Sequence, residues 1–214
     1  MKLKLADKIL TANERIAEGN RRSFDEKGIF VINLISSPGA GKTTLLETTI
    51  KTLGGDVRLG VIEGDIMGTD DAERIDRLGV PVVQINTGGA CHLDAGMISD
   101  VLGELPLDDI RLLFIENVGN LVCPAEFKLG EDVKVAILSL TEGHDKPLKY
   151  PIIFQESRAL LISKIDLKPV LDVDVEKIKR DARSLNPSIE IFEISSKTGE
   201  GMGQWVQWIK TLIS

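Results

Sequence analysis

Residues 29–46 read Ile-Phe-Val-Ile-Asn-Leu-Ile-Ser-Ser-Pro-Gly-Ala-Gly-Lys-Thr-Thr-Leu-Leu. The run from Ile29 to Ile35 is apolar and β-branched, which predicts a buried strand. The apolar spacing after Lys42 predicts a helix. Between them, Ser36 to Thr43 has the composition of a phosphate loop in the context that such a loop requires. Gly39 and Gly41 free the backbone N–H groups to curl round anion oxygens. The following helix points its positive end at the same place. Gly39, Ala40, Gly41, Lys42, Thr43 and Thr44 are therefore candidate nucleotide contacts. Lys42 is expected to reach the β- and γ-phosphates, and the Thr43 hydroxyl to sit on Mg²⁺. The usual pattern opens with Gly, where this chain has Ser36.

Outward from this loop, strand and helix patterns alternate. Strands are predicted over Val57–Ile62, Val80–Ile85, Leu112–Ile115, Val133–Leu140, Leu160–Ile162 and Ile189–Ile194. Helices are predicted over 70–78, 93–103 and Gln204–Leu212. Near-continuous apolar strands imply a mostly parallel sheet with helices on both faces, an α/β fold. Residues 2–26 form a charged amphipathic pattern with Leu5, Ile9 and Ile16 as its apolar positions, stopped by Gly28. The reading is a helical extension over 1–28 and a nucleotide-binding domain over 29–214.

Composition narrows the function. With 26 Lys and Arg against 33 Asp and Glu, the net charge is −7, which disfavours coating a nucleic acid. No apolar run is long enough to span a membrane. The charged start does not read as a secretory leader, and Cys91 and Cys123 are the two cysteines. A cytoplasmic location with reduced thiols is expected.

Further candidates sit at predicted strand ends. Asp65 and Glu116 can serve Mg²⁺ with Thr43. Glu116 is followed three residues later by Gly119, the spacing of a switch that senses the terminal phosphate. Asp71 lies where a segment could close over the nucleotide. Ser163-Lys164-Ile165-Asp166 follows a strand as a guanine-reading motif would: the carboxylate accepts from guanine N1–H and the 2-amino group, and the Lys164 stem stacks on the purine. Ser195, Ser196 and Lys197 supply a loop towards guanine O6. Ser163 stands where that motif has Asn, which weakens the expected brace. Cys91 and His92 are adjacent, and Cys123 follows the switch glycine. Their soft donors suit Ni²⁺ or Zn²⁺ rather than Mg²⁺, and three ligands leave a fourth to water or a second subunit.

Together, SSPGAGKTTL, EGD at 63–65, DAER at 71–74, NTGGACHLDA at 86–95, FIENVGNLVCPAEFKLGE at 114–131, TEGHDKPLKYP at 141–151, SKIDL at 163–167 and SSKTGEG at 195–201 resemble the hydrogenase-maturation nickel-insertion GTPases, the HypB family. The resemblance implies a P-loop NTPase of the dimerising SIMIBI type that hydrolyses GTP with Mg²⁺. It also implies delivery of Ni²⁺ to the [NiFe]-hydrogenase large-subunit precursor with an accessory nickel-binding maturation protein. By the same resemblance, Cys91, His92 and Cys123 match a metal site at a homodimer interface, and Lys42, Thr43, Asp65, Asp71 and Glu116 match nucleotide and Mg²⁺ positions. Asp166 matches the guanine contact, and Lys149 a residue that reaches the partner subunit's nucleotide. Residues 1–30 hold no Cys and no His, so the N-terminal nickel motif and His-rich tract of some members are not expected in them. The alternatives are a urease-accessory-like GTPase, although a Cys-Pro-His motif is absent, a small-molecule kinase with an incidental metal site, and a metal-binding scaffold.

Overall fold

The computed structural model describes residues 3–214, with side chains from residue 8 onward. The chain runs α1 (Leu3–Lys27), β1 (Phe30–Ser36), α2 (Lys42–Leu53), β2 (Leu59–Asp65), α3 (Asp70–Asp76), β3 (Val82–Asn86), α4 (Ala95–Val101) and β4 (Leu112–Glu116). It continues through α5 (Cys123–Glu126), β5 (Val133–Ser139), α6 (Lys146–Lys149), α7 (Pro151–Glu156), β6 (Ser157–Ser163), α8 (Val175–Leu185), β7 (Glu190–Glu193) and α9 (Met202–Leu212). The strands form one sheet in the order β3-β2-β4-β1-β5-β6-β7, and every neighbouring pair is parallel.

Strand residues alternate between two apolar layers, as the pleat dictates. Ile32 and Leu34 of β1 face Leu45, Leu46 and Ile50 of α2 and Trp205 and Ile209 of α9. Val31 faces the opposite layer with Phe24 of α1 and Ile98 of α4. That layer continues over Ile35, where Phe154 of α7 and Ile178 of α8 cover Ala136 and Leu138. Parallel strands need such crossover helices, and helices on both faces explain why β1, β4 and β5 are apolar almost throughout. The C-terminal strand ends bear Ser36, Asp65, Asn86, Glu116 and Ser163 along one edge, where open α/β sheets bind ligands. No helix among the described residues is long and apolar enough to cross a membrane.

Besides the short helices α5, α6 and α7, which the sequence pattern does not predict, the structure departs from the sequence reading in three larger ways. First, β2 runs past Ile62 to Asp65, because Glu63, Gly64 and Asp65 keep register with Gln84, Ile85 and Asn86 of β3. Second, α8 was not predicted. Its apolar stripe is sparse, and it is fixed by the Asp174 carboxylate accepting from Lys177 N at 2.8 Å and by burial of Val175, Ile178 and Ala182. Third, α1 forms as expected but docks by another face. Ile9 and Ile16 are 52% and 43% exposed, while Asn13, Ala17, Asn20 and Phe24 are buried; the Leu5 side chain lies outside the described residues. The amides can be buried because each is satisfied. Asn13 Nδ2 donates to Lys128 O at 2.8 Å, and Asn20 Nδ2 to Ala95 O at 2.9 Å and Leu129 O at 3.0 Å.

Candidate functional site

The turn after β1 passes through Gly39 (φ 74°) and Gly41 (φ 96°), left-handed conformations that side chains resist, before α2 starts at Lys42. Lys42 Nζ donates to Ser36 Oγ at 3.3 Å, and Ser36 Oγ donates to Ser37 O at 2.8 Å. The serine that departs from the usual pattern thus holds the lysine inside the loop.

Beside the loop lies an acidic group. Glu63 and Glu116 face each other across paired strands, and with Asp71 they offer carboxylate oxygens within 4.8 Å of one another. Thr43 Oγ1 donates to Glu116 Oε1 at 3.0 Å, whereas Glu63 Oε2 and Glu116 Oε2 are buried without a partner. Burial, reinforced by the neighbouring Glu116, Asp65 and Asp71 carboxylates, pushes the Glu63 carboxyl up to about 8. Burial likewise pushes Glu116 up to about 7, although Lys42 and the Thr43 hydroxyl pull the other way. Two orphaned carboxylate oxygens beside a threonine hydroxyl are a hard-oxygen donor set that fits a divalent cation such as Mg²⁺. Arg74 holds Asp71 in place: its Nη1 donates to Asp71 Oδ1 at 2.9 Å, while Nε and Nη2 clasp the Glu47 carboxylate at 3.2 and 2.7 Å. Thr44 Oγ1 accepts from the same Arg74 Nη2 at 3.1 Å.

Asp65, expected with Thr43 and Glu116, stands outside this trio. Its Oδ1 accepts from Ile66 N at 2.7 Å and so closes its own turn at the end of β2. Glu63 was missed because the strand was ended at Ile62. Continuing the alternation through Glu63 would have aligned it with Asp65 on one side of the strand.

The base-reading candidates converge. Ala40, Gly41, Thr44, Lys164, Asp166 and Ser195 line a cleft of about 260 Å³, together with Ser196 and Lys197. Lys164 is the non-glycine residue with positive φ (59°) among those described, and this turn lays its Nζ on Gly39 O at 2.7 Å. Asp166 Oδ1 accepts from Ser195 Oγ at 2.7 Å, so the two base-side loops fix each other. Ser163 retains a brace: its buried hydroxyl donates to Ala40 O at 2.9 Å. Lys149 is exposed at the end of α6, with Nζ 5.9 Å from the Tyr150 ring centroid.

The soft ligands also converge. Cys91 Sγ lies 3.2 Å from Cys123 Sγ and 3.6 Å from His92 Nδ1, and all three donor sets fall within 4.8 Å. Both thiols are free, and Cys91 is exposed. The Cys91 contact, then burial, raise the Cys123 thiol, and burial lowers the His92 imidazole. A soft cation that replaces the thiol protons relieves the first of these, and a neutral imidazole is already the ligating form. The His92 ring packs on Phe127 at 4.1 Å between centroids.

The two sites share a loop. From Glu116 the chain passes Gly119 and reaches Cys123 at the start of α5. A Cβ at Gly119 would stand 2.8 Å from both Cα and N of Pro38, so this loop lies directly on the phosphate loop.

Comparison with known proteins shows the family and the fold. Residues 30–193 match the family model described as CobW/HypB/UreG, nucleotide-binding domain. The hydrogenase maturation factor HypB of Escherichia coli K12 is 55% identical over 203 residues, which are 95% of this chain and 70% of the relative. A probable hydrogenase maturation factor HypB of Methanocaldococcus jannaschii is 40% identical over 97% of this chain and 94% of its own length. Among solved structures, HypB of Archaeoglobus fulgidus superimposes with a TM-score of 0.90 at 41% identity, covering 95% of this chain and all of that one. HypB of Helicobacter pylori, solved in complex with nickel, gives 0.90 at 38%, covering 94% and 95%. A signal recognition particle receptor, FtsY, from Elizabethkingia anophelis shares the fold alone, with a TM-score of 0.55 at 16% identity, covering 77% of this chain and 56% of that one. By its phosphate loop, its Cys-His and Cys positions and these likenesses, the chain belongs to the HypB hydrogenase maturation factors, within the CobW/HypB/UreG nucleotide-binding family.

Proposed function

We propose that this chain is a GTP-hydrolysing metallochaperone that carries nickel towards the [NiFe]-hydrogenase large-subunit precursor. One observation carries the reading: a single loop begins at the carboxylate bonded to Thr43, touches the phosphate loop at Gly119, and ends at a thiol of the soft-ligand trio. In this reading, the Gly39–Thr44 backbone cradles the phosphates, Lys42 binds the terminal one, and Asp166 selects guanine. Thr43, Glu63 and Glu116, with Asp71 beside them, hold Mg²⁺, which when bound neutralises charge between the terminal phosphates. Gly119 N–H contacts the γ-phosphate, and loss of that phosphate releases the loop. Cys91, His92 and Cys123 hold the cargo, and Zn²⁺ competes for the same donors. The solved nickel complex of the Helicobacter pylori relative supports nickel as cargo.

Three ligands leave room for a donor from a second copy, so GTP and metal are expected to draw two subunits together. Lys149, exposed at the end of α6, is then the residue that reaches the other subunit's nucleotide. An accessory nickel-binding maturation protein supplies or receives the ion, in the cytoplasm. The test is a nickel titration of protein loaded with GDP and with a non-hydrolysable GTP analogue, with mass measured in parallel. Different affinity and different assembly in the two states are expected; identical values in both would overturn the reading.

A further inference from the structure

The loop that ends at Cys123 has a second connection to the metal site, through side chains rather than along the chain. Asn117 is buried, one residue beyond Glu116. Its backbone N–H continues the sheet by donating to Leu34 O at 3.0 Å. Its side-chain Oδ1 accepts from Val118 N at 3.0 Å and from Leu93 N at 3.1 Å, and Leu93 immediately follows His92. Its Nδ2 donates to Asn33 Oδ1 at 3.3 Å, on the central strand, and Asn33 Nδ2 donates to Glu131 Oε1 at 3.4 Å. Leu129 N donates to Glu131 Oε2 at 2.6 Å, so the relay is anchored in the segment between α5 and β5. A second amide of the same loop grips the other ligand: Asn120 Nδ2 donates to Cys91 O at 3.2 Å, while Asn120 Oδ1 accepts from Val122 N at 2.9 Å.

We infer that Asn117 and Asn120 are positioning residues that strap Cys91 and His92 to the phosphate-sensing loop, so that one loop movement displaces all three metal ligands together. This rests on the nucleotide-gated metal site proposed above and adds how the gate reaches the ligands remote in sequence. Cys123 is reached along the chain from Gly119. Cys91 and His92 lie on another segment and would stay still if only the chain carried the motion. The straps remove that freedom. Leu93 also packs against the C-terminal end of β2, where a Cβ at Gly64 would stand 2.7 Å from Leu93 Cδ1. The ligand segment therefore has a fixed wall on one side and the mobile loop on the other. Buried amides with both ends engaged have discrete hydrogen-bonded arrangements rather than a continuum, as a two-state device requires.

The experiment uses the full chain and Ni²⁺ itself, titrated in the GDP state and in the state loaded with a non-hydrolysable GTP analogue. The readouts are calorimetry and the thiolate-to-nickel absorption band. In the parent, the ratio of the two affinities is the coupling. Asn117→Ala is expected to shrink that ratio by about fivefold, the worth of the one bond among its three that reaches Leu93 and the ligand segment. Nickel stoichiometry should stay at the parent value, and analogue affinity within about twofold. A purely structural role would weaken nickel equally in both states and leave the ratio alone, which would overturn the inference. Asn120→Ala removes a strap from a half-buried loop side chain outside the core; it keeps the test decisive if Asn117→Ala does not fold. Its ratio should shrink by a smaller factor, and a ratio equal to the parent's would overturn the inference. A parent ratio of one would instead overturn the gated reading itself, and the inference with it.

Discussion

Substituting alanine at Gly119 tests whether the sensing loop rests on the phosphate loop. The added methyl would stand 2.8 Å from both Cα and N of Pro38 and 2.9 Å from its Cγ. Ordinary contact begins near 3.4 Å, so one of the two loops must retreat by about 0.6 Å or more. The nearest atoms are backbone, so no side-chain rotation relieves the overlap. Overpacking of this kind costs about 1–3 kcal/mol. At 1.4 kcal/mol per tenfold, that is roughly 5- to 150-fold in an equilibrium that needs the loops together. If the 117–120 segment yields, the GTP analogue loses this factor and GDP is spared, because only the terminal phosphate needs Gly119. If the phosphate loop yields, both nucleotides weaken. Displacement of a fluorescent guanine nucleotide measures both constants, and a thermal melt without nucleotide measures any loss borne by the fold. Parent-like values for the analogue, GDP and the melting temperature together would refute the contact.

Other expectations follow from the same geometry. Asp166→Ala removes the acceptor for two guanine donors and should lower the GTP-over-ATP preference at least about tenfold; an unchanged ratio in competition binding would place base reading elsewhere. Cys123→Ala should weaken nickel at least about tenfold in equilibrium dialysis while guanine nucleotide affinity holds within about twofold, and equal nickel affinity would refute the site. Glu63 and Glu116 hold carboxyls raised to about 8 and about 7 against an ordinary 4.5. The cation-free folded protein therefore binds more protons than the unfolded chain between these values, and its stability falls as pH rises through that window. Glu63→Gln should melt increasingly above the parent from pH 5.5 to 8.5, whereas a constant difference would contradict the buried carboxyl. Ser163→Ala loses the hydroxyl bond to Ala40 O and should weaken GTP and GDP alike by about fivefold; an unaltered affinity would show the brace idle.

The local chemistry of this chain was legible because it is written in contiguous residues. Gly39, Gly41, Lys42 and Thr43 meet as one short turn, and Cys91 and His92 are adjacent; Cys123 joins them from the loop after β4, which lies beyond β2 from β3 in the sheet. What escaped depends on pairing across the sheet. Glu63 became a site residue only once β2 was seen to extend alongside β4, opposite Glu116. Arg74 offered a signal, an Arg three residues after Asp71 on a helix, but its clasp on Glu47 of α2 is tertiary. The face of α1 was misread for a deeper reason. Apolar patterning assigns Ile9 and Ile16 to the interior, yet Asn13 and Asn20 are buried there beside Ala17 and Phe24, since carbonyls more than 70 residues away satisfy the two amides. Nothing in the helix's own sequence foretells those partners.

Those two amides give α1 a standing that its position at the head of the chain conceals. Ala95, which Asn13 and Asn20 both hold, begins α4 just downstream of His92, and Lys128 and Leu129 follow the short helix that Cys123 opens. Phe24 plugs the apolar layer below them. A protein engineer who trimmed the chain at residue 29 would not be discarding a handle. The cut would open a hole the size of a phenyl ring, at a cost of about 3–5 kcal/mol, and strip partners from buried main-chain groups at about 1–3 kcal/mol each. Both ligand-bearing stretches would lose their common buttress at once, so a minimal version of this protein has to keep its first helix.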